Sequence, residues 1–157
     1  LIKIGSKIGA DVPFFINGST QIGEGIGEKL TAMNSLLAVQ YLIVTPDISI
    51  DTKWAYSQYK NKLDKCSQPT KFSYLFRDKS INLDTLKFFE NDFESVVFPT
   101  YPEIGAIKSK LLALGARFAS LSGSGSTVYG IFDDNANLHK AFSHFSPRHK
   151  TYIAHPV

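Results

Sequence analysis

The sequence predicts an α+β fold of two layers, a mostly antiparallel sheet packed by helices. Three observations carry the prediction. Short apolar runs rich in β-formers recur at Val39 to Thr45, Arg117 to Leu121, Thr127 to Phe132 and Lys150 to Ala154. Between the first two lies a helical period, with Ile104, Ile107, Leu111 and Leu114 on one face, as an amphipathic helix requires. Strands also follow one another directly, which favours an antiparallel sheet over one that alternates strictly with helices.

Taken in order, residues 1–9 read as the end of a helix closed by Gly5 or Gly9. Val12 to Ile16 reads as a strand and Thr20 to Ile22 as a second. Gly23-Glu24-Gly25-Ile26-Gly27-Glu28 makes a turn, since glycine enters positive φ at little cost. Val39 to Thr45 is a strand ended by Pro46-Asp47. Thr52 is expected to cap a short helix from Lys53 to about Lys62. Residues 64–80, rich in turn formers and charge, read as a loop or a mobile helix–loop. Leu83 to Phe93 is helical in period. Tyr101-Pro102-Glu103 opens the clearest helix, with Pro102 suited to the first turn and Gly115 to the stop. A short helix from Ala136 to Phe145 precedes the closing strand. No internal repeat or dividing linker is present, so 1–157 reads as a single domain.

Composition narrows the function classes. The chain of 157 residues suits one domain, or one substantial half of a larger enzyme. Its 43% hydrophobic and 20% charged residues describe an ordinary globular protein rather than a disordered one. The single Cys66 forms no internal disulfide, and no Cys/His cluster has zinc spacing. His139, His144 and His149 are spaced by five, which suits neither a helix face nor a strand, and read as surface residues. No apolar run reaches the length of a membrane span, and no signal-like segment opens the chain, so a cytoplasmic setting is expected. A net charge of +3 is too small to argue for nucleic acid. Between Lys53 and Lys79, however, seven basic residues stand against Asp64 and Asp78. That is either a solvated surface segment, the commoner case, or a rim attracting an anionic small molecule.

Two stretches could carry chemistry. In Ser122-Gly123-Ser124-Gly125-Ser126-Thr127, small residues let backbone N–H groups converge on an anion, with hydroxyls as further donors. It has no Gly-Lys-Ser/Thr ending, and Val128 stands where a dinucleotide fingerprint needs its third glycine. On pattern alone it is a flexible turn as readily as a phosphate cradle. Asp11, beside an apolar run, is a cap or a solvated carboxylate, or else a general base for a hydroxyl nucleophile. Tyr56, near Trp54, is a core aromatic or a plate for a base.

The order of the motifs is more telling than any one of them. Gly9 to Phe15 (GADVPFF), Gly25 to Glu28 (GIGE), Pro46 to Thr52, Asn91 to Glu94 (NDFE) and Ser122 to Phe132 together resemble the GHMP kinase superfamily. The likeness runs over essentially the whole chain. It is nearest to the branch whose substrate carries a cytidine diphosphate. The resemblance implies the fold of the C-terminal GHMP kinase domain and an ATP-dependent phosphotransfer to an alcohol, with ATP and Mg²⁺ as cofactors of the full enzyme. Asp11 matches the family's catalytic aspartate. Tyr56 matches an aromatic that stacks on cytosine, and Thr52 a hydroxyl residue lining the substrate site. Ser122, Gly123, Ser124, Gly125 and Ser126 match the superfamily's third glycine motif. No metal ligand is assigned in this chain, and neither nucleic acid nor membrane is an expected partner.

The family's long glycine-rich ATP loop and its catalytic lysine are missing here. The chain is therefore expected to be the C-terminal half of the enzyme, with residues 1–20 the tail end of an N-terminal ATP-binding domain, and to be inactive alone. The alternatives are a homoserine- or mevalonate-type GHMP kinase, or a non-catalytic ligand-binding domain.

Overall fold

The computed structural model describes the chain except Ala10, Ile26, Glu28, residues 34–38, 64–82, 87, 88 and 90, and Val157. Most of the basic segment thus lies outside the described residues. What is described falls into two compact units, one built on residues 1–33 and the other on 39–63 and 83–155.

In the first unit, helix α1 (Ile2–Ile8) ends at Gly9, whose N–H donates to the Gly5 carbonyl. Helix α2 (Val12–Asn17) packs on it. Gly5 is buried at the crossing, where a Cβ would stand 2.8 Å from Ile16 Cδ1, so a side chain there would push the helices apart. The strand expected over Val12 to Ile16 is thus a helix. Pro13, in the first turn, fixes φ at a helical value where no N–H is needed. A five-residue apolar run by itself does not separate strand from helix. Strands β1 (Gln21–Glu24) and β2 (Lys29–Ala32) pair antiparallel, with Gly25 and Gly27 at positive φ in the turn.

The second unit is a four-stranded sheet under helices. Its elements are β3 (Gln40–Thr45), α3 (Thr52–Leu63), α4 (Glu94–Thr100), α5 (Pro102–Ala113), β4 (Phe118–Leu121), β5 (Val128–Phe132), α6 (Asn135–Phe145) and β6 (Lys150–Ala154). The strand order is β4-β5-β3-β6, with every neighbouring pair antiparallel. β5 is inserted between β3 and β4, which therefore run parallel, the split β-α-β arrangement. Alternation puts Leu42 and Val44 of β3, Ala119 and Leu121 of β4, and Val128 and Phe132 of β5 on one face. Ile104, Ile107 and Leu111 of α5 and Leu138, Ala141 and Phe145 of α6 cover that face, all nearly or fully buried. The α5 period is as the sequence implies, and its chain turns at Gly115 with φ +97°.

Two local expectations are corrected. The cap of α3 is Asp51, whose Oδ1 accepts from the Trp54 N–H at 2.7 Å; Thr52 is already helical. Its hydroxyl is freed for a different task. The α-helix expected over Leu83 to Phe93 is not found in the described part of that range, where 83–85 form a turn that runs into 3₁₀ backbone at Leu86. The chain turns again at Asn91 to Phe93, and α4 starts at Glu94. The Asn91 Oδ1 accepts from the Phe93 N–H at 3.0 Å, a local turn that competes with helix. Of the histidines expected at the surface, His139 and His144 are exposed, while His149 is half-buried beside Phe145.

Candidate active site

The glycine loop joins β4 to β5, and the ladder between these strands dictates its reach. Ser122 N–H donates to the Thr127 carbonyl at 2.8 Å, closing the loop's neck, and Gly125 N–H donates to the Ser122 carbonyl at 3.0 Å. Gly123 and Gly125 have φ of +56° and +92°, and the Gly125–Ser126 peptide is cis. Gly125 is required for two reasons: its φ, and the space, since a Cβ would lie 2.9 Å from Ile50 Cδ1 and 3.1 Å from Leu121 Cδ1. Among the described residues, the N–H groups of Gly123, Ser124 and Ser126 take no backbone partner. An anion placed over the loop would find them unused.

Three elements hold the loop. On the Ser126 side, the hydroxyl donates to the Ile48 carbonyl at 2.5 Å, and Thr127 shares a hydrogen bond with Thr45 at 3.1 Å. At the tip, the hydroxyls of Ser124 and Thr52 share a hydrogen bond at 3.2 Å. Two separately expected site residues, 72 positions apart, are thus brought together. On the Leu121 side stand Asn91 and Glu94. Asn91 Nδ2 donates to the carbonyls of Leu121 and Gly123, both at 2.8 Å. Glu94 Oε1 accepts from the Leu121 N–H at 2.9 Å and the Ser120 hydroxyl at 3.0 Å, while Oε2 pairs with Lys108.

Beside the loop opens a cleft of about 610 Å³, lined by Tyr56, Phe93, Phe118, Tyr129, Ser122 and Gly123 among others. Tyr56 projects from α3 one turn after Thr52 and is 55% exposed, so its face is available to a ligand. Its ring stands edge-on to Phe93, centroids 4.9 Å apart at 80°, a geometry that aromatic quadrupoles favour. Trp54 points elsewhere and packs on Tyr101 at 5.6 Å. Burial raises the Tyr129 phenol above its usual range, with Tyr41 and Glu94 adding to the rise and a hydrogen bond with Ser120 opposing it. Burial likewise raises Tyr41.

Asp11 belongs to the first unit. It is exposed, it precedes α2 at φ −84°, and its carboxylate makes no capping hydrogen bond. No three His, Cys, Asp or Glu side chains gather as a metal site among the described residues. None of those helices is long and apolar enough to cross a membrane. Sequence reading placed Thr52, Tyr56 and the loop but gave no role to Asn91, Glu94 or Phe93. Two signals were there: Asn91 to Glu94 is one of the motifs that carry the family resemblance, and Asn-Asp ahead of a helix start reads as a turn.

Residues 78–148 match the family model described as GHMP kinases C terminal. A 4-diphosphocytidyl-2-C-methyl-D-erythritol kinase of Pelobacter propionicus is 41% identical over 141 residues, covering 90% of this chain and 49% of its own length. The kinase of that name from Syntrophotalea carbinolica is 37% identical over 161 residues, covering 100% of this chain and 55% of its own. A crystal structure of 4-(cytidine 5'-diphospho)-2C-methyl-D-erythritol kinase has a TM-score of 0.72 at 21% identity, over 97% of this chain and 55% of that one, a likeness of fold. The chain spans about half the length of the curated relatives it matches.

Proposed function

The chain belongs to the GHMP kinases, as their C-terminal part, and from that premise we propose that the full-length protein is an ATP-dependent kinase of 4-diphosphocytidyl-2-C-methyl-D-erythritol, phosphorylating its 2-hydroxyl. One observation carries the reading. A stacking aromatic, Tyr56, opens onto the same cleft as the anion-competent loop, and Thr52 on the same helix is bonded to that loop's tip. A substrate with a nucleobase at one end and a phosphate-accepting alcohol at the other needs such a pairing. The Pelobacter propionicus and Syntrophotalea carbinolica relatives are named for that activity, which supports the reading.

In this reading each residue does what its chemistry allows. Tyr56 stacks on the cytosine, edge-supported by Phe93. Thr52 and Ser124 fix the loop against α3. The unused N–H groups of Gly123, Ser124 and Ser126 hold phosphate oxygens. Asp11, an uncommitted carboxylate, accepts or orients the proton of the attacking hydroxyl. Phosphoryl transfer asks mainly for positioning and charge neutralisation. Mg²⁺ accompanies ATP in such reactions; among the described residues no three His, Cys, Asp or Glu side chains gather to hold an ion by themselves. ATP binding is assigned to an N-terminal half in the length the relatives have beyond this chain, with residues 1–20 as its tail.

The test is phosphate transfer by the full-length protein from ATP to the diphosphocytidyl substrate. Asp11→Asn is expected to lower kcat by about 10²–10⁴. Tyr56→Ala is expected to raise KM for that substrate by about 5- to 100-fold, the worth of one base–aromatic stack. The 157-residue chain alone is expected to transfer nothing. Equal or better transfer to homoserine or mevalonate would overturn the substrate assignment.

A further inference from the structure

The Asn91-Asp92-Phe93-Glu94 turn has so far only a structural description. We propose that Asn91 is a positioning residue for phosphate binding, one that fixes which way the peptides of the glycine loop face. This deepens the kinase reading above and rests on it.

The argument follows from the planarity of the peptide bond. In a trans peptide the C=O and the next N–H point in opposite directions. Asn91 Nδ2 has two hydrogens, and each is spent on one carbonyl, Leu121 at 2.8 Å and Gly123 at 2.8 Å. Holding the Leu121 carbonyl directs the Ser122 N–H the other way, where it meets the Thr127 carbonyl and closes the neck. Holding the Gly123 carbonyl directs the Ser124 N–H away from Asn91, at the tip where the Ser124 hydroxyl meets Thr52. Ser124 N–H has no backbone partner among the described residues. Asn91 therefore does two things at once. It removes two carbonyl oxygens that would repel an anion, and it aims a free donor.

The amide cannot turn over. Its Oδ1 accepts from the Phe93 N–H at 3.0 Å, so its donors are committed to the loop. Glu94 completes the bracket from the same turn by taking the Leu121 N–H. Glycine at 123 makes the device necessary. At φ +56° with nothing within 4 Å of a Cβ position, the loop has no packing of its own to fix its peptides there.

The experiment compares Asn91→Asp and Asn91→Ala in the full-length protein. Asp keeps the shape and the Phe93 contact but puts an oxygen against two carbonyls; Ala removes all three bonds. Measured are kcat, KM for ATP, the dissociation constant of CDP and the thermal midpoint. The loop in this reading holds the transferred phosphoryl group and not the substrate's own diphosphate. Expected are therefore a fall in kcat of about 10- to 100-fold, as for other small misplacements of reacting groups, a raised KM for ATP, and CDP binding within about twofold of wild type. Asp should be no better than Ala despite its closer shape. A merely structural residue would lower the thermal midpoint and leave kcat per folded molecule unchanged. That outcome, or failure of both variants to fold, overturns the proposal. If the unaltered protein transfers no phosphate, the kinase reading fails first. If it does and both variants keep their kinetics, only the role of Asn91 fails.

Discussion

Replacing Glu94 is the sharpest test of how the site is held together. The Glu94 side chain is 14% exposed and serves three partners: the Leu121 N–H, the Ser120 hydroxyl and the Lys108 ammonium. Glu94→Ala strands each differently. Leu121 is 2% exposed, and leaving its N–H unpaired costs about 1–3 kcal/mol. Ser120 is 4% exposed, and its hydroxyl keeps a long 3.4 Å contact to the Leu121 carbonyl and its hydrogen bond with Tyr129, so it adds no more than roughly 0.5–1 kcal/mol. Lys108 is 25% exposed and can extend its ammonium to water, so its loss is held below about 1 kcal/mol. The sum is about 3 kcal/mol. Glu94→Gln keeps an acceptor for Leu121 and Ser120 and should cost only about 1 kcal/mol, chiefly by facing Lys108 with an amide. Adding Lys108→Met to Glu94→Gln should remove most of that, a coupling a double-mutant cycle reads directly. Urea unfolding of the 157-residue chain is followed by the fluorescence of Trp54, the sequence's one tryptophan, half-buried against Tyr101 in the same unit. If Gln costs as much as Ala, the charge rather than the acceptor geometry holds the loop, and the account is wrong. If Ala costs under about 1 kcal/mol, the bracket carries no load.

Two further outcomes follow from the same geometry. Gly125→Ala should cost about 2–3 kcal/mol, because φ +92° strains a side chain and the Cβ meets Ile50 and Leu121, whereas Gly123→Ala, with open space, should cost about 1 kcal/mol; equal costs in the same urea titration would refute the packing argument. Stability should fall as the pH rises past about 10, the unfolded tyrosine value. The sign follows from Tyr41 and Tyr129, whose raised folded values keep their protons bound where the unfolded chain has lost its own. Tyr129→Phe should flatten the alkaline limb of a stability–pH profile, and an unchanged slope would count against burial as its cause.

The parts of the fold legible in the sequence are those whose cause is local. α5 needed only its apolar period, Pro102 at one end and Gly115 at the other, and each acts within a turn of itself. The strands 39–45, 117–121, 127–132 and 150–154 were each found within a residue of their bounds, because alternation and short turns are local too. The misread segments are those where a nearby side chain intervened. Pro13 turned a strand-like run into a helix, Asp51 displaced Thr52 as the cap, and Asn91 makes a turn with Phe93 where the helical period was read to end. In each case a residue short in reach but strong in preference outweighed a pattern spread over several positions.

The site divides the same way, and for the same reason. Ser122 to Ser126 declare themselves, since glycine and serine in a row are explained by backbone freedom and little else. The roles of Asn91 and Glu94 do not, although both lie in the NDFE motif, because their partners in β4 and the loop are 26 to 32 positions away and are mostly backbone groups, which leave no mark in a sequence. What brings them together is the topology. The chain leaves α4, crosses in α5 and returns as β4, so the start of α4 meets the end of β4. A loop free enough to bend around a phosphate cannot also hold its own peptides in place. Its stiffness has to come from elements already fixed by the core, and α4, with Val96 and Val97 buried in that core, is such an element.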